Sequence, residues 1–297
     1  MKKSISQLIS EGNTLISDGA WGTYLQAKGL QPGECPEQWN IDRPADVLDI
    51  AVSYVAAGAD MIETNSFGGN CFKLAGYGLE NSVYAINKAA AELSRQAAGA
   101  DKYVLGSVGP TGKMLIMGDV TEEELYDAFK EQSIALSDGG ADAIIIETMT
   151  ALDEAVIAVK AARENTLCEV ICTMTFDLLG NGEFRTMMGV SPTEMVVALK
   201  EAGAHIIGAN CSNGIEGMVK ITKEIRLEDK VIPILIHANA GMPSLENGKT
   251  VFPESPEMMS CVAPQLVVAG ANIIGGCCGT TPEHIRKLVE VLRVGNH

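Results

Sequence analysis

Three cysteines and two carboxylates carry the chemistry that this sequence offers. Cys277 and Cys278 stand together in Gly275-Gly276-Cys277-Cys278-Gly279-Thr280-Thr281-Pro282-Glu283. Thr281 fits a helix N-cap, Pro282 the first helical position and Glu283 an acidic first turn. The pair therefore lies between the end of a strand and the start of a helix. Adjacent residues on a regular strand face opposite ways, so both thiols reach one metal only if the backbone bends, which the flanking glycines permit. A third thiol, Cys211, sits in Gly208-Ala209-Asn210-Cys211-Ser212-Asn213-Gly214. A Cys₃ set suits Zn²⁺, a borderline-soft ion, and three protein ligands leave a fourth position open, as in catalytic zinc sites. On these residues alone, buried packing cysteines and a redox dithiol remain as alternatives, because zinc ligands commonly have two residues between them. Cys168 and Cys172 are expected to pack on one face, and Cys35, Cys71 and Cys261 show no partner pattern.

Asp18, in Asp18-Gly19-Ala20, and Glu147 each fall at the end of an expected strand. Either carboxylate could hold a substrate ammonium group, or serve as a cap or in a salt bridge. Asn239, in His237-Ala238-Asn239-Ala240-Gly241, could fill the open metal position, contact substrate or stabilise a turn. His237 shares its strand face and reads as a metal-supporting or a core histidine. His205, His284 and His297 read as strand-start, helix-surface and tail residues. Gly109-Pro110-Thr111-Gly112-Lys113 resembles a phosphate loop but has the wrong spacing, with Met114 where Ser or Thr is required.

The elements that must position these residues are strand–helix units. Short apolar runs alternate with longer amphipathic stretches, which is the signature of a parallel sheet. Eight strands are expected near 14–19, 60–66, 103–108, 143–149, 169–176, 205–211, 231–239 and 272–278. Helices are expected near 43–58, 82–98, 121–138, 151–164, 192–202, 215–226, 256–269 and 282–293, with long connections at 26–42 and 240–255. A weak repeat supports this reading: Ala57-Gly58-Ala59-Asp60, Gly139-Gly140-Ala141-Asp142, Ala202-Gly203-Ala204-His205 and Ala269-Gly270-Ala271-Asn272 each precede a strand. The second residue of each is a glycine suited to a left-handed helix end. Counting on from that glycine brings Asn65-Ser66, Glu147-Thr148, Asn210-Cys211 and Cys277-Cys278 to one level, at the C-terminal ends of four strands. In a (β/α)8 barrel of TIM type those ends converge on one face, where such enzymes place their chemistry. No Pro/Ser-rich linker divides the chain, so one domain over 1–297 is expected.

Bulk composition narrows the function classes. Hydrophobic residues make up 46% and charged residues 20% of the chain, a globular composition. A formal net charge of −16 without a basic cluster argues against nucleic-acid binding. Apolar runs such as Ala143–Ile146 are too short to cross a bilayer. The N-terminus lacks a signal-peptide pattern, so a cytoplasmic protein is expected, and eight cysteines there point to packing, redox or metal roles.

In order along the chain come Asp18-Gly19-Ala20-Trp21-Gly22-Thr23, Thr64-Asn65-Ser66-Phe67-Gly68, Gly109-Pro110-Thr111-Gly112, Glu147-Thr148-Met149, Gly208-Ala209-Asn210-Cys211-Ser212 and Gly275-Gly276-Cys277-Cys278-Gly279-Thr280-Thr281-Pro282. Together they resemble the homocysteine S-methyltransferase family, within it most the homocysteine-binding domain of cobalamin-dependent methionine synthase. Ser66 replaces a common Thr and Met149 a common Phe. The resemblance implies the barrel, a zinc ion on Cys211, Cys277 and Cys278, and the amino acid end of homocysteine near Asp18 and Glu147. It also implies an Asn at position 239 that approaches the metal when substrate is absent. The expected substrate-binding set is Asp18, Gly19, Asn65, Glu147, Asn210, Ser212 and Asn239, with the metal-activated substrate thiol as nucleophile and no separate general base. Because the chain ends after this module, the methyl donor is expected to be a separate methylated corrinoid protein carrying methylcobalamin. S-methylmethionine or betaine as donor, another acceptor thiol, and a zinc or thiol-redox protein without transferase activity stay open.

Overall fold

The glycine repeat marks where each helix turns back into the sheet. In the computed structural model, which describes residues 2–246 and 249–293, Gly58, Gly140, Gly203 and Gly270 have φ of 101°, 100°, 95° and 107°. A Cβ is disfavoured in that left-handed region. Two residues later the side chain of Asp60, Asp142, His205 or Asn272 accepts the backbone N–H of Ile16, Val104, Val170 or Ile234, each on the adjacent strand. An arginine braces each acceptor: Arg293, Arg95, Arg163 and Arg226 respectively. The weak sequence repeat is thus a fourfold clamp at the N-terminal rim of the sheet.

The strands are β1 (Leu15–Ile16), β2 (Met61–Glu63), β3 (Tyr103–Val108), β4 (Ala143–Met149), β5 (Glu169–Met174), β6 (Ile206–Asn210), β7 (Ile234–Ala238) and β8 (Ile273–Gly276). All pairings among them are parallel, in the order β1-β8-β7-β6-β5-β4-β3-β2. The helices that follow are α1 (Pro44–Ala57), α2 (Val83–Ala98), α3 (Glu122–Asp138), α4 (Leu152–Asn165), α5 (Pro192–Ala202), α6 (Ile215–Glu228), α7 (Pro256–Ala269) and α8 (Pro282–Arg293). This is the (β/α)8 architecture, nearly closed. One backbone bond and two side-chain bonds bridge the seam between the short strands β1 and β2. Asp60 N–H reaches Ile16 O at 2.7 Å, Asp60 Oδ2 accepts from Ile16 N and Asp18 Oδ2 accepts from Glu63 N.

Alternate residues fill the barrel, among them Met61, Leu105, Ile145, Ile171, Ile206, Leu235 and Ile273. Ile5 and Ile9 of a short helix, Ile5–Ser10, join them and plug the bottom, and Glu169 caps that helix at Ile5 N and Ser6 N. The opposite strand faces pack against the helices as a second apolar layer.

Loop content departs from the expected connections. The stretch 26–42 holds the helix Trp39–Asp42 and the end of the helix Gly22–Ala27. The stretch 240–255 holds a hairpin, Ser244–Glu246 with Lys249–Val251, and a further hairpin pairs Asp177–Leu178 with Phe184–Arg185. These pairs are two or three residues long, too short for a periodic signal. His284 is buried instead of on the helix surface: its Nδ1 lies against Thr281 N and its Nε2 reaches Glu254 O at 3.0 Å. His297 lies outside the described residues. Among the described residues no helix is long and apolar enough to cross a membrane.

Candidate functional site

β7 lies between β6 and β8, with Asn210 paired to His237 and His237 to Gly275. Residues just beyond β6 and β8 therefore emerge at one level, and the end of β7 ties them together. Cys211 N donates to His237 O, Cys277 N to Ala238 O and Ala240 N to Cys278 O. The three cysteine sulfurs lie within 4.8 Å of one another, with Cys211 and Cys278 Sγ atoms 4.0 Å apart. Thiolates on one tetrahedral zinc stand about 3.8 Å apart, given Zn–S bonds of about 2.3 Å. The donor set and its spacing fit such an ion.

Backbone strain builds this triangle. Cys211 and Ser212 have φ of 62° and 55°, a conformation costing a non-glycine residue on the order of 1 kcal/mol or more. On the other side, Gly279 takes φ of 81°, and a Cβ there would stand 2.1 Å from the Phe252 ring. A Cβ on Gly276 would stand 2.2 Å from Thr280 Oγ1, which donates to Cys277 O at 2.8 Å. The glycines thus let the chain fold tightly enough to bring both adjacent thiols to one side. The three thiols are not equivalent. Hydrogen bonds from Cys277 and then Cys278 push Cys211 well below the usual thiol range, and the bonds to Cys211 raise the other two thiols.

Asn210 is fully buried, and its amide is spent on protein atoms. It accepts from Thr148 N at 2.8 Å and Thr173 Oγ1 at 2.7 Å, and donates to Thr148 Oγ1 at 2.7 Å and Cys277 Sγ at 3.9 Å. It therefore clamps Thr148, itself at φ 60°, beside the thiol cluster.

A cavity of about 290 Å³ opens beside the cysteines, walled by Trp21, Leu25, Pro36 and Phe67 and floored by Glu63, Ser107, Glu147 and His237. Of the expected substrate residues, Gly19, Asn65 and Glu147 line it, as do all three cysteines. Asp18 lies just beneath, fully buried, with Oδ2 accepting from Trp21 Nε1 and Glu63 N, both at 2.8 Å. Asn210, Ser212 and Asn239 are not in its wall. Ser212 Oγ accepts from Thr175 Oγ1, and the Asn239 side chain turns to Cys211. Asn65 ties the loop carrying it to Pro36 O and Asn40.

The floor is acidic, and among the described residues no Lys or Arg lines the cavity. Burial, then the Glu63 charge, raises Asp18 to about 7. Burial alone raises Glu63 to about 8. Glu147 is raised well above the usual carboxylate range by burial and by Glu63, although Ser107 Oγ donates to it. Burial lowers His237, leaving it neutral. Charges that resist ionising in isolation become stable when a cation enters. Sequence reasoning missed Glu63, Ser107 and Trp21. Glu63 sits directly before the Thr64-Asn65-Ser66 motif and at a strand end, which was a usable signal.

A family model described as homocysteine S-methyltransferase matches residues 15–292. The chain belongs to that family. Its curated relatives include two named methionine synthase. That of Mycobacterium tuberculosis is 32% identical and that of Mycobacterium leprae 31% identical, each matched over 94% of this chain. The chain spans 24% of the length of either relative. Among solved structures, the homocysteine methyltransferase MmuM from Escherichia coli in its metallated form superposes with a TM-score of 0.77 at 24% identity, covering 95% of this chain and 97% of that one. The oxidized form of MmuM gives 0.77 at 25% identity.

Proposed function

We propose that this enzyme methylates the thiol of homocysteine to form methionine, with Cys211, Cys277 and Cys278 holding Zn²⁺. The observation that carries the reading is a triangle of three thiols on the wall of a cation-demanding cavity. Zinc held there supplies the Lewis acidity that keeps a substrate thiol deprotonated at neutral pH. The protein does the rest. Asn210 and the β7 backbone fix the cysteines before substrate arrives. The acidic floor receives the amino group, and the apolar wall of Trp21, Leu25, Pro36 and Phe67 excludes water from the sulfur. The thiolate lone pair then forms the new S–CH₃ bond as the donor–CH₃ bond breaks, and no protein general base is required.

For the donor, the reading is a methylated corrinoid protein. The motif set resembling the cobalamin-dependent branch and the similarity to relatives named methionine synthase support it. Methionine formation from homocysteine is to be assayed in parallel with methylcobalamin, S-methylmethionine and betaine. Turnover with methylcobalamin is expected, and turnover only with one of the others would replace this donor. Cys277→Ala should lose both zinc and activity. An active zinc-free variant would overturn the mechanism, and reversible Cys277–Cys278 oxidation without any zinc binding would favour a redox protein.

A further inference from the structure

The hydrogen-bond ladder between β1 and β8 outlasts the shorter strand. Leu15 N donates to Asn272 O, Ser17 N to Ile274 O and, past the end of β1, Gly276 N to Asp18 O at 2.8 Å. A side chain makes the next rung. Ala20 N donates to Thr280 Oγ1 at 3.1 Å, and that hydroxyl donates onward to Cys277 O at 2.8 Å. Thr280 N also donates to Cys277 O, at 3.1 Å, and the residue is buried. Two glycines make room for the hydroxyl, one from each loop. A Cβ on Gly19 would stand 2.7 Å from it, and one on Gly276 2.2 Å. Ala20 is held from its other side as well, with Tyr54 OH donating to Ala20 O at 2.8 Å.

A hydroxyl can accept one bond while it donates another, so it can join two backbones that do not pair directly. We propose that Thr280 is a positioning residue that joins the Cys277–Cys278 loop to the loop carrying Ala20 and Trp21, so that a metal ion on the cysteines also sets the apolar wall of the cavity. This rests on the zinc reading and adds a residue to it. On the metal side, two donors from Thr280 fix the Cys277 carbonyl, and with it the peptide that joins the adjacent thiols. On the wall side, the Ala20 residue is pinned at its N–H by Thr280 and at its carbonyl by Tyr54, one position before Trp21. Gly19, Ala20, Trp21, Cys277 and Cys278 all line the cavity, and Thr280 does not, so its influence passes through these neighbours. Coupling of this kind is reciprocal: what orders one loop favours the ordered form of the other.

The test uses zinc alone, without substrate or methyl donor. The chain has two tryptophans, so a Trp39→Phe parent leaves Trp21 as the reporter. In that parent, zinc should lower the quenching of Trp21 fluorescence by acrylamide, and chelator competition gives the zinc affinity. Thr280→Val keeps the shape and removes the hydroxyl. It should bind zinc about ten- to a hundredfold more weakly and lose the Trp21 response at saturating zinc. Thr280→Ser should restore both. Gly19→Ala drives a Cβ onto the hydroxyl from the other loop and should weaken zinc binding likewise, which carries the test should Thr280→Val not fold. A purely structural role would lower the denaturation midpoint of the metal-free protein and leave zinc affinity and the Trp21 response unchanged. That result in Thr280→Val, or failure of Thr280→Ser to restore both, overturns the assignment and leaves the zinc reading standing. So does a parent that binds zinc with no change at Trp21. A parent that binds no zinc overturns that reading and the assignment with it.

Discussion

Removing the Glu63 charge should stabilise the protein, and increasingly so as pH rises. The carboxyl titrates at about 8 in the folded chain against a reference of 4.5. Between those values the folded state holds a proton that the unfolded state has released. The unfolded state then binds fewer protons, so stability falls as pH rises through this window and levels off above it. At about 1.4 kcal/mol per pH unit, the full window costs on the order of 5 kcal/mol. Glu63→Gln keeps the shape and deletes the titration. Chemical denaturation of the metal-free, reduced proteins from pH 5 to 8 provides the assay. The two should lie within about 1 kcal/mol of each other at pH 5, and the variant should gain at least about 1 kcal/mol per pH unit thereafter. The gain should exceed the single-group slope, because Glu63 also raises Asp18 and Glu147. Parallel pH profiles, or a gap that narrows with pH, would refute the claim that burial holds this group protonated.

Asn210→Ala should weaken metal binding about ten- to a hundredfold in chelator competition, since it frees Cys277 and Thr148 together. Gly279→Ala should cost about 2–4 kcal/mol in denaturation, combining positive φ with a clash against Phe252. Asp142→Ala should cost about 3 kcal/mol by stranding Val104 N and Arg95, whereas Asp142→Asn should cost less, because Asn272 fills the same role in its own repeat. Added zinc should shield Cys211, Cys277 and Cys278 from alkylation while exposed Cys261 reacts equally with and without it, as read by peptide mass spectrometry.

The barrel was legible because its signals are local. Every expected strand and helix overlaps an observed one, and the glycine repeat located four helix ends by a backbone requirement that only neighbouring residues set. The thiol level was legible for the same reason: a fixed count from a left-handed glycine carries the chain a fixed distance up a strand. The short hairpins had no periodicity to read, and His284 looked like a surface residue because its partner, Glu254, is remote in sequence.

Local spacing along the chain is enough to bring the three cysteines, Asp18 and Glu147 to the barrel mouth. Which of them face the cavity is set by contacts between strands. Asp18 and Asn210 turn their polar atoms to the protein, whereas Glu63, unremarked in the sequence, keeps an oxygen without a partner. The reason is physical. Height along a strand follows from chain geometry, but the direction and occupancy of a buried polar group depend on donors from other strands, here Glu63, Ser107, Thr148 and Thr173, and no local spacing encodes those partners.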